Sequence, residues 1–167
     1  MNPRSIEVDL DRQILTLLEN GEALQTFPVS TAANGAGELM DSECTPRGGH
    51  VIDEKIGAGC AADTVFVGRR PTGEIYSREL REQHPGRDWI VTRILWLAGT
   101  EPGRNAGADV DSKARYIYIH GTPDDTDMTV PGSRGCVRMR NTDIITLFDR
   151  IDPGTPVAIV SSGESKG

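Results

Sequence analysis

The chain has 167 residues, 37% of them apolar and 26% charged, enough to fold as one domain without a metal or disulfide staple. Eighteen basic against 25 acidic residues leave a formal charge of −7, which argues against non-specific nucleic-acid binding and against docking on an anionic membrane. Nineteen glycines and ten prolines point to a β-rich chain with many turns, and no apolar run approaches the roughly 20 residues of a membrane helix.

In chain order, Ile6, Val8 and Leu10 alternate with Glu7, Asp9 and Asp11, the pattern of a half-buried strand. Residues 13–18 are a second strand candidate. Asn20-Gly21 marks a hairpin, since both residues tolerate positive φ, and residues 23–30 return as its partner strand. Residues 31–50, rich in Gly and Thr, read as loop, with His50, Val51 and Ile52 opening the next strand. A short strand follows at 64–68. Residues 69–88 form a polar, irregular insertion with a helical turn at 76–83. The most apolar stretch, 88–97, is predicted to be a central strand, and 101–113 is again loop. Residues 114–120 alternate, with Ile117 and Ile119 on one face and Tyr116, Tyr118 and His120 on the other. Turn formers fill 121–135. Asn141 or Thr142 is placed to cap a helix whose apolar stripe is Ile144, Ile145, Phe148 and Ile151. Asp152-Pro153-Gly154 stops it, and 155–160 close the chain as a strand. The expectation is a single domain over 1–167, with a core of about 5–160, mainly β and with one short helix after Cys136.

Charges at Glu7, Asp9, Asp11 and Arg12 interrupt the N-terminal region, so no secretory signal is read there. The expected place is the cytoplasm; the periplasm is the alternative if a signal has been removed. Cys44, Cys60 and Cys136 are an odd number, so at least one is unpaired within the chain, and three reduced thiols is the simplest reading. No Cys-x-x-Cys or His-x-x-x-His pair is present, so neither a metal nor another cofactor is expected.

Cys136 stands in Ser133-Arg134-Gly135-Cys136-Val137-Arg138. Small residues before it permit a tight turn with exposed amides, and the flanking Arg134 and Arg138 would favour the thiolate. A nucleophilic thiol needs a base within reach. His120 ends an alternating strand 16 residues earlier, where a glycine loop begins, and is the best placed. His50 opens a strand and His84 lies in the polar insertion. On its own Cys136 also reads as a small buried hydrophobe. Cys44 and Cys60 lack any such context.

Taken together, His120-Gly121-Thr122, then Ser133-x-Gly135-Cys136-Val137-Arg138-Met139, then Asn141-Thr142-Asp143 resemble the signature of the bacterial L,D-transpeptidase (YkuD-type) family. The opening 6–10, Asn20-Gly21, Pro28-Val29-Ser30-Thr31, Thr45-Pro46-Arg47-Gly48 and Gly154-Thr155-Pro156-Val157 are similar to it too. The family commonly has a second histidine where this chain has Arg134. The resemblance implies a β-sandwich or barrel-like fold with the cysteine at a strand-end cleft, and muropeptide tetrapeptide stems as substrate. In this reading His120 takes the proton of Cys136 and the Gly121 carbonyl orients the imidazole. The N–H groups of Arg134, Gly135 and Cys136 bind the oxyanion.

Arg138, Ser133, Thr122 and Tyr118 are the substrate-binding candidates. Arg138 would grip a stem carboxylate, or alternatively pair with Asp143. Ser133 either lies near the thiol or shapes the turn, and Tyr118 lines the pocket or the core. The preferred activity is L,D-carboxypeptidase, trimming tetrapeptides during murein recycling. Transpeptidation and a non-catalytic murein-peptide binding module are the alternatives.

Overall fold

The computed structural model describes residues 3–162. Its elements are β1 (Arg4–Asp9), β2 (Ile14–Glu19), β3 (Glu22–Ser30), β4 (Gly48–Ile56), β5 (Thr64–Val67), β6 (Arg70–Ile75), α1 (Arg78–Gln83), β7 (Ile90–Gly99), β8 (Tyr118–Thr122), β9 (Val137–Arg140), α2 (Asn141–Arg150) and β10 (Pro156–Val160). Eight strands close into a ring: β4, β10, β1, β2, β3, β9, β8 and β7 are each bonded to the next, and β7 pairs back with β4. Closure removes the open edges that a flat sheet would present. The β5–β6 hairpin stays outside the ring. It joins the first residues of β7 through Val65–Val91 and Phe66–Ile90.

Period-two alternation sends one set of side chains inward from each strand. Ile6 and Val8, Leu15 and Leu17, Phe27 and Val29, Leu95 and Leu97, then Ile119, Val137 and Met139 form one buried cluster. Helix α2 lies across β7, β8 and β9 and adds Ile144, Leu147 and Phe148 to that core. Each such side chain is worth about 1.5–3 kcal/mol relative to exposure. The mainly β, barrel-like architecture is the one the resemblance implies.

Four local expectations are corrected. The 69–88 stretch is not irregular: it holds β6 and α1, whose N-cap Ser77 accepts from Leu80 N. Helix α1 falls within the helical turn expected at 76–83, and α2 is the helix expected after Cys136. Residues 114–117 are not strand, because Tyr116 takes a left-handed φ of 58° and turns the chain before β8 begins. Neither Asn141 nor Thr142 caps α2. The N-cap is Arg140, without a side-chain cap, and the Asn141 amide is spent elsewhere. The helix's inward stripe uses Leu147 where Ile145 was expected.

Candidate active site

Strands β8 and β9 run parallel, with Ile119 beside Val137 and His120 beside Arg138. Ile119 and Val137 point into the core. Tyr118, His120, Cys136 and Arg138 therefore share the opposite face. A parallel pair needs a crossover, and residues 123–136 supply it. They carry the chain from the end of β8 back to the start of β9. This is how a histidine and a cysteine 16 positions apart come onto one face.

The crossover is anchored before it reaches the cysteine. Gly132 N and Ser133 N both donate to Thr31 O, and Ser133 O accepts from Ala33 N. Ser133 Oγ donates to Cys136 O and accepts from Gly135 N. Thr45 Oγ1 donates to Gly135 O at 2.9 Å and accepts from Ala32 N. Gly135 has φ of 133°, and a Cβ there would meet Cys44 O and Ile117 Cδ1, each at 3.1 Å. Only glycine passes this point without strain.

Cys136 is partly exposed and opens on a cleft of about 600 Å³, lined also by Phe66, Arg69, Asp88, Tyr116 and Tyr118. Its Sγ donates to Tyr116 O and accepts from Tyr118 N, both at 3.4 Å. Burial pushes the thiol up to about 12, and Asp88 adds to this; Tyr118 N–H, Arg138 and Arg115 pull the other way. Arg138 thus acts on the thiol in the direction expected of a flanking arginine, but burial outweighs it. Arg134 is exposed, while Arg138 is paired with Asp88 at 3.0 Å.

His120 is 1% exposed. Its Nδ1 lies 2.7 Å from Gly121 O. A carbonyl only accepts, so Nδ1 carries the proton and Nε2 is left as the acceptor. Burial holds the imidazole below its ordinary pKa, more than Asp88 and the Gly121 bond raise it. At neutral pH the resting pair is a neutral thiol and a neutral imidazole.

Gly121 is itself held by packing. A Cβ on it would meet Val91 O, Thr92 Cβ at 2.9 Å and Asn141 Oδ1 at 3.0 Å. Thr92 sits where the β7–β8 register shifts, at a φ of 76° that a β-branched residue rarely adopts. Its Oγ1 donates to Asn141 Oδ1 at 2.6 Å and accepts from Asp63 N at 3.0 Å. Asn141 Nδ2 donates to Asp63 Oδ1 at 2.7 Å. This network backs the carbonyl that orients His120.

The other sequence candidates divide. Tyr118 lines the cleft, its hydroxyl accepting from Arg69 Nη1 at 3.2 Å. Arg138 faces the same side, but its ion pair is with Asp88 and not Asp143. Ser133 shapes the turn. The Gly135 amide, one of three expected oxyanion donors, is taken by Ser133 Oγ. Thr122 is buried at the end of β8 and its Oγ1 has no partner among the described residues. His50 is bound to Ser112 Oγ at 2.8 Å, away from the cleft lining, and His84 follows the exposed α1. Sequence reasoning missed Asp88, which read as the start of a strand, Arg69, which read as insertion, and the bracing by Asn141, which read as a cap. Among the described residues no three His, Cys, Asp or Glu gather to hold a metal ion.

A profile of the YkuD family, the L,D-transpeptidase catalytic domain, matches residues 3–159. A Bacillus licheniformis protein that carries the name L,D-transpeptidase YkuD is 27% identical over 158 residues, covering 94% of this chain and 66% of that protein. The Bacillus subtilis protein of the same name is 24% identical over 157 residues, with the same coverage of 94% and 66%. An Enterococcus faecium L,D-transpeptidase, solved as a cysteine-to-serine mutant, superposes with a TM-score of 0.56 at 17% identity, covering 96% of this chain and half of that one, 50%. The last likeness is one of fold.

Proposed function

Because the chain belongs to the YkuD family of L,D-transpeptidase catalytic domains, we propose that it is a cysteine acyl-transfer enzyme on peptidoglycan peptide stems. In this proposal water is the acceptor, making it an L,D-carboxypeptidase that trims tetrapeptides to tripeptides. The observation that carries this is spatial. Cys136 opens on a cleft of about 600 Å³, within the ordinary range for a ligand pocket of roughly 300–1,000 Å³. The neighbouring pocket that shares Arg134 and Tyr116 is only about 240 Å³ and does not include Cys136. A single cleft at the sulfur supports the reading in which one stem binds and water completes the reaction.

The chemistry follows from the resting protonation. As Cys136 Sγ attacks the scissile carbonyl carbon, its proton passes to His120 Nε2. The amides of Arg134 and Cys136 are the oxyanion donors left after Ser133 takes that of Gly135. A donor of this kind is worth about 3–4 kcal/mol in the transition state. His120 then returns the proton to the nitrogen of the leaving D-alanine as the C–N bond breaks, and a thioester remains. Water, deprotonated by His120, resolves it and restores the thiol. Soluble stems released during wall turnover in the cytoplasm are the proposed pool, since a charge of −7 is repelled by an anionic wall polymer.

Incubation with a disaccharide tetrapeptide, read by mass, tests the proposal. Loss of one alanine is the expected result. Dimers, or exchange of the terminal residue for an added D-amino acid, would replace hydrolysis by transpeptidation. Turnover unchanged in Cys136→Ser would remove the cysteine from the reaction altogether.

A further inference from the structure

Arg138 was the guanidinium expected to grip a substrate carboxylate, and it is committed to Asp88. Other arginines of the molecule are also paired, Arg47 with Glu38, Arg81 with Asp125 and Arg87 with Glu74. Arg69 is different. With Arg134 it lines the same cleft as Cys136, and among the described residues neither forms an ion pair with a carboxylate, but Arg69 is held in place by the rings and a hydroxyl of the cleft.

Its position is built with care. Gly68 and Arg69 form the turn between β5 and β6, with φ of 56° and 65°. Two successive positive φ values belong to the tight hairpin turn that matches strand twist. For an arginine this conformation is uncommon. The guanidinium lies 4.6 Å from the Trp96 ring centroid and 5.0 Å from that of Tyr116, and Nη1 donates to Tyr118 Oη at 3.2 Å. Stacking and one hydrogen bond fix the plane of the fork and leave its other donors open to the cleft. Tyr118 meanwhile donates its backbone N–H to Cys136 Sγ. A single residue thus ties the guanidinium to the sulfur.

We propose that Arg69 is the specificity-determining residue that takes the free C-terminal carboxylate of the substrate, one residue beyond the carbonyl attacked by Cys136. The inference rests on the acyl-transfer reading above. Cys136 and Arg69 line one cleft, and Tyr118 bonds the sulfur through its backbone N–H and the guanidinium through its hydroxyl. The planar fork matches a carboxylate in two hydrogen bonds. Preordering by Trp96 and Tyr116 reduces the rotamer entropy lost on binding. The enzyme would then act at chain ends and pass over stems whose terminus is amidated or extended.

The test compares a tetrapeptide stem ending in D-alanine with the same stem ending in D-alaninamide. Wild type is expected to favour the acid by about 10–100-fold in kcat/KM, the worth of a charge-assisted hydrogen bond lost. Arg69→Ala is expected to bring that preference close to one, and Arg69→Lys to restore part of it. Equal use of acid and amide by wild type, or a preference untouched by Arg69→Ala, would overturn the inference while leaving acyl transfer intact. Calorimetric binding of both peptides to Cys136→Ser protein, with and without Arg69→Ala, decides the same question without turnover. There the acid is expected to bind more tightly only when Arg69 is present, and binding blind to the terminus overturns the inference. Should wild type cleave neither peptide, the reaction reading fails and the binding comparison still rules on Arg69. Circular dichroism melts of each variant separate lost recognition from lost fold.

Discussion

The two sides of the cleft are built on different principles. The β8–β9 side presents Cys136 to the cleft, with His120 buried on the same face and Ile119, Val137 and Met139 behind them in the core. Charge is suppressed there: burial keeps both the thiol and the imidazole neutral. The hairpin side presents Arg69 from an exposed turn, steadied by aromatic rings and not by a carboxylate. One side holds the thiol and the imidazole to which the proposed reaction assigns proton transfer. The other offers a fixed cation at the mouth. A rigid, dry platform makes proton transfer geometric, and a wet rim keeps a charge available for recognition.

The largest effects are expected on the buried side. Cys136→Ala should lower kcat by about 10⁴-fold or more, leaving binding of the stem measurable by calorimetry. His120→Gln should cost about 10²–10⁴-fold, the usual worth of a general base. Because burial lowers the His120 pKa, the acid limb of kcat/KM is expected below the ordinary histidine value of about 6.5. A group with a depressed folded pKa contributes stability above its unfolded pKa and loses it as pH falls. Chemical denaturation should therefore show stability falling as pH drops below about 6.5, and His120→Gln should flatten that slope. The raised thiol acts with the opposite sense. Its contribution is full below the unfolded value and is lost as pH rises toward about 12. Cys136 should accordingly react slowly with iodoacetamide at neutral pH, about tenfold faster per pH unit as the solution is made alkaline.

Asn141 gives a smaller and more diagnostic effect. Its Oδ1 packs against Gly121, whose carbonyl accepts from His120 Nδ1. Asn141→Ala leaves Thr92 Oγ1 without its acceptor, at a cost of about 1–3 kcal/mol in stability. A merely structural role would stop there. A positioning role adds a fall of about tenfold in kcat with KM little changed, and a ¹⁵N spectrum of His120 in which the proton is no longer confined to Nδ1. Unchanged imidazole shifts would reduce Asn141 to a packing residue.

What the sequence made legible follows the same division. Alternation around Ile119 was enough to put Tyr118 and His120 on one face, and the glycine before Cys136 to mark a tight turn there, because period two and turn chemistry are local rules. The Gly121 carbonyl was nameable because it neighbours the imidazole. Arg69 and Asp88 were not legible, since Arg69 reaches the cleft through the β5–β7 pairing and Asp88 meets that side through its ion pair with Arg138, contacts set by tertiary closure. The thiol's ionisation was misread for a related reason. Flanking arginines are visible in sequence, whereas the desolvation that outweighs them depends on atoms brought from Phe66, Ile94 and Tyr118. Asn141 was assigned a cap because caps are a local motif. Its amide instead bonds residues 49 and 78 positions away.

The smallest expected effect concerns the position where this chain carries Arg134 in place of the family's common second histidine. Arg134 is exposed, and its side chain stands between the cleft and the smaller pocket, lining both. In the proposed reaction it contributes its backbone N–H, which any residue supplies. Arg134→His should therefore change kcat/KM on the tetrapeptide by only about twofold, as for a surface substitution. The acid limb should stay where His120 puts it, since the added imidazole would not replace the base. A second ionisation in the pH profile would instead mean that position 134 reaches the reacting atoms, and the division between a neutral platform and a charged rim would have to be redrawn there.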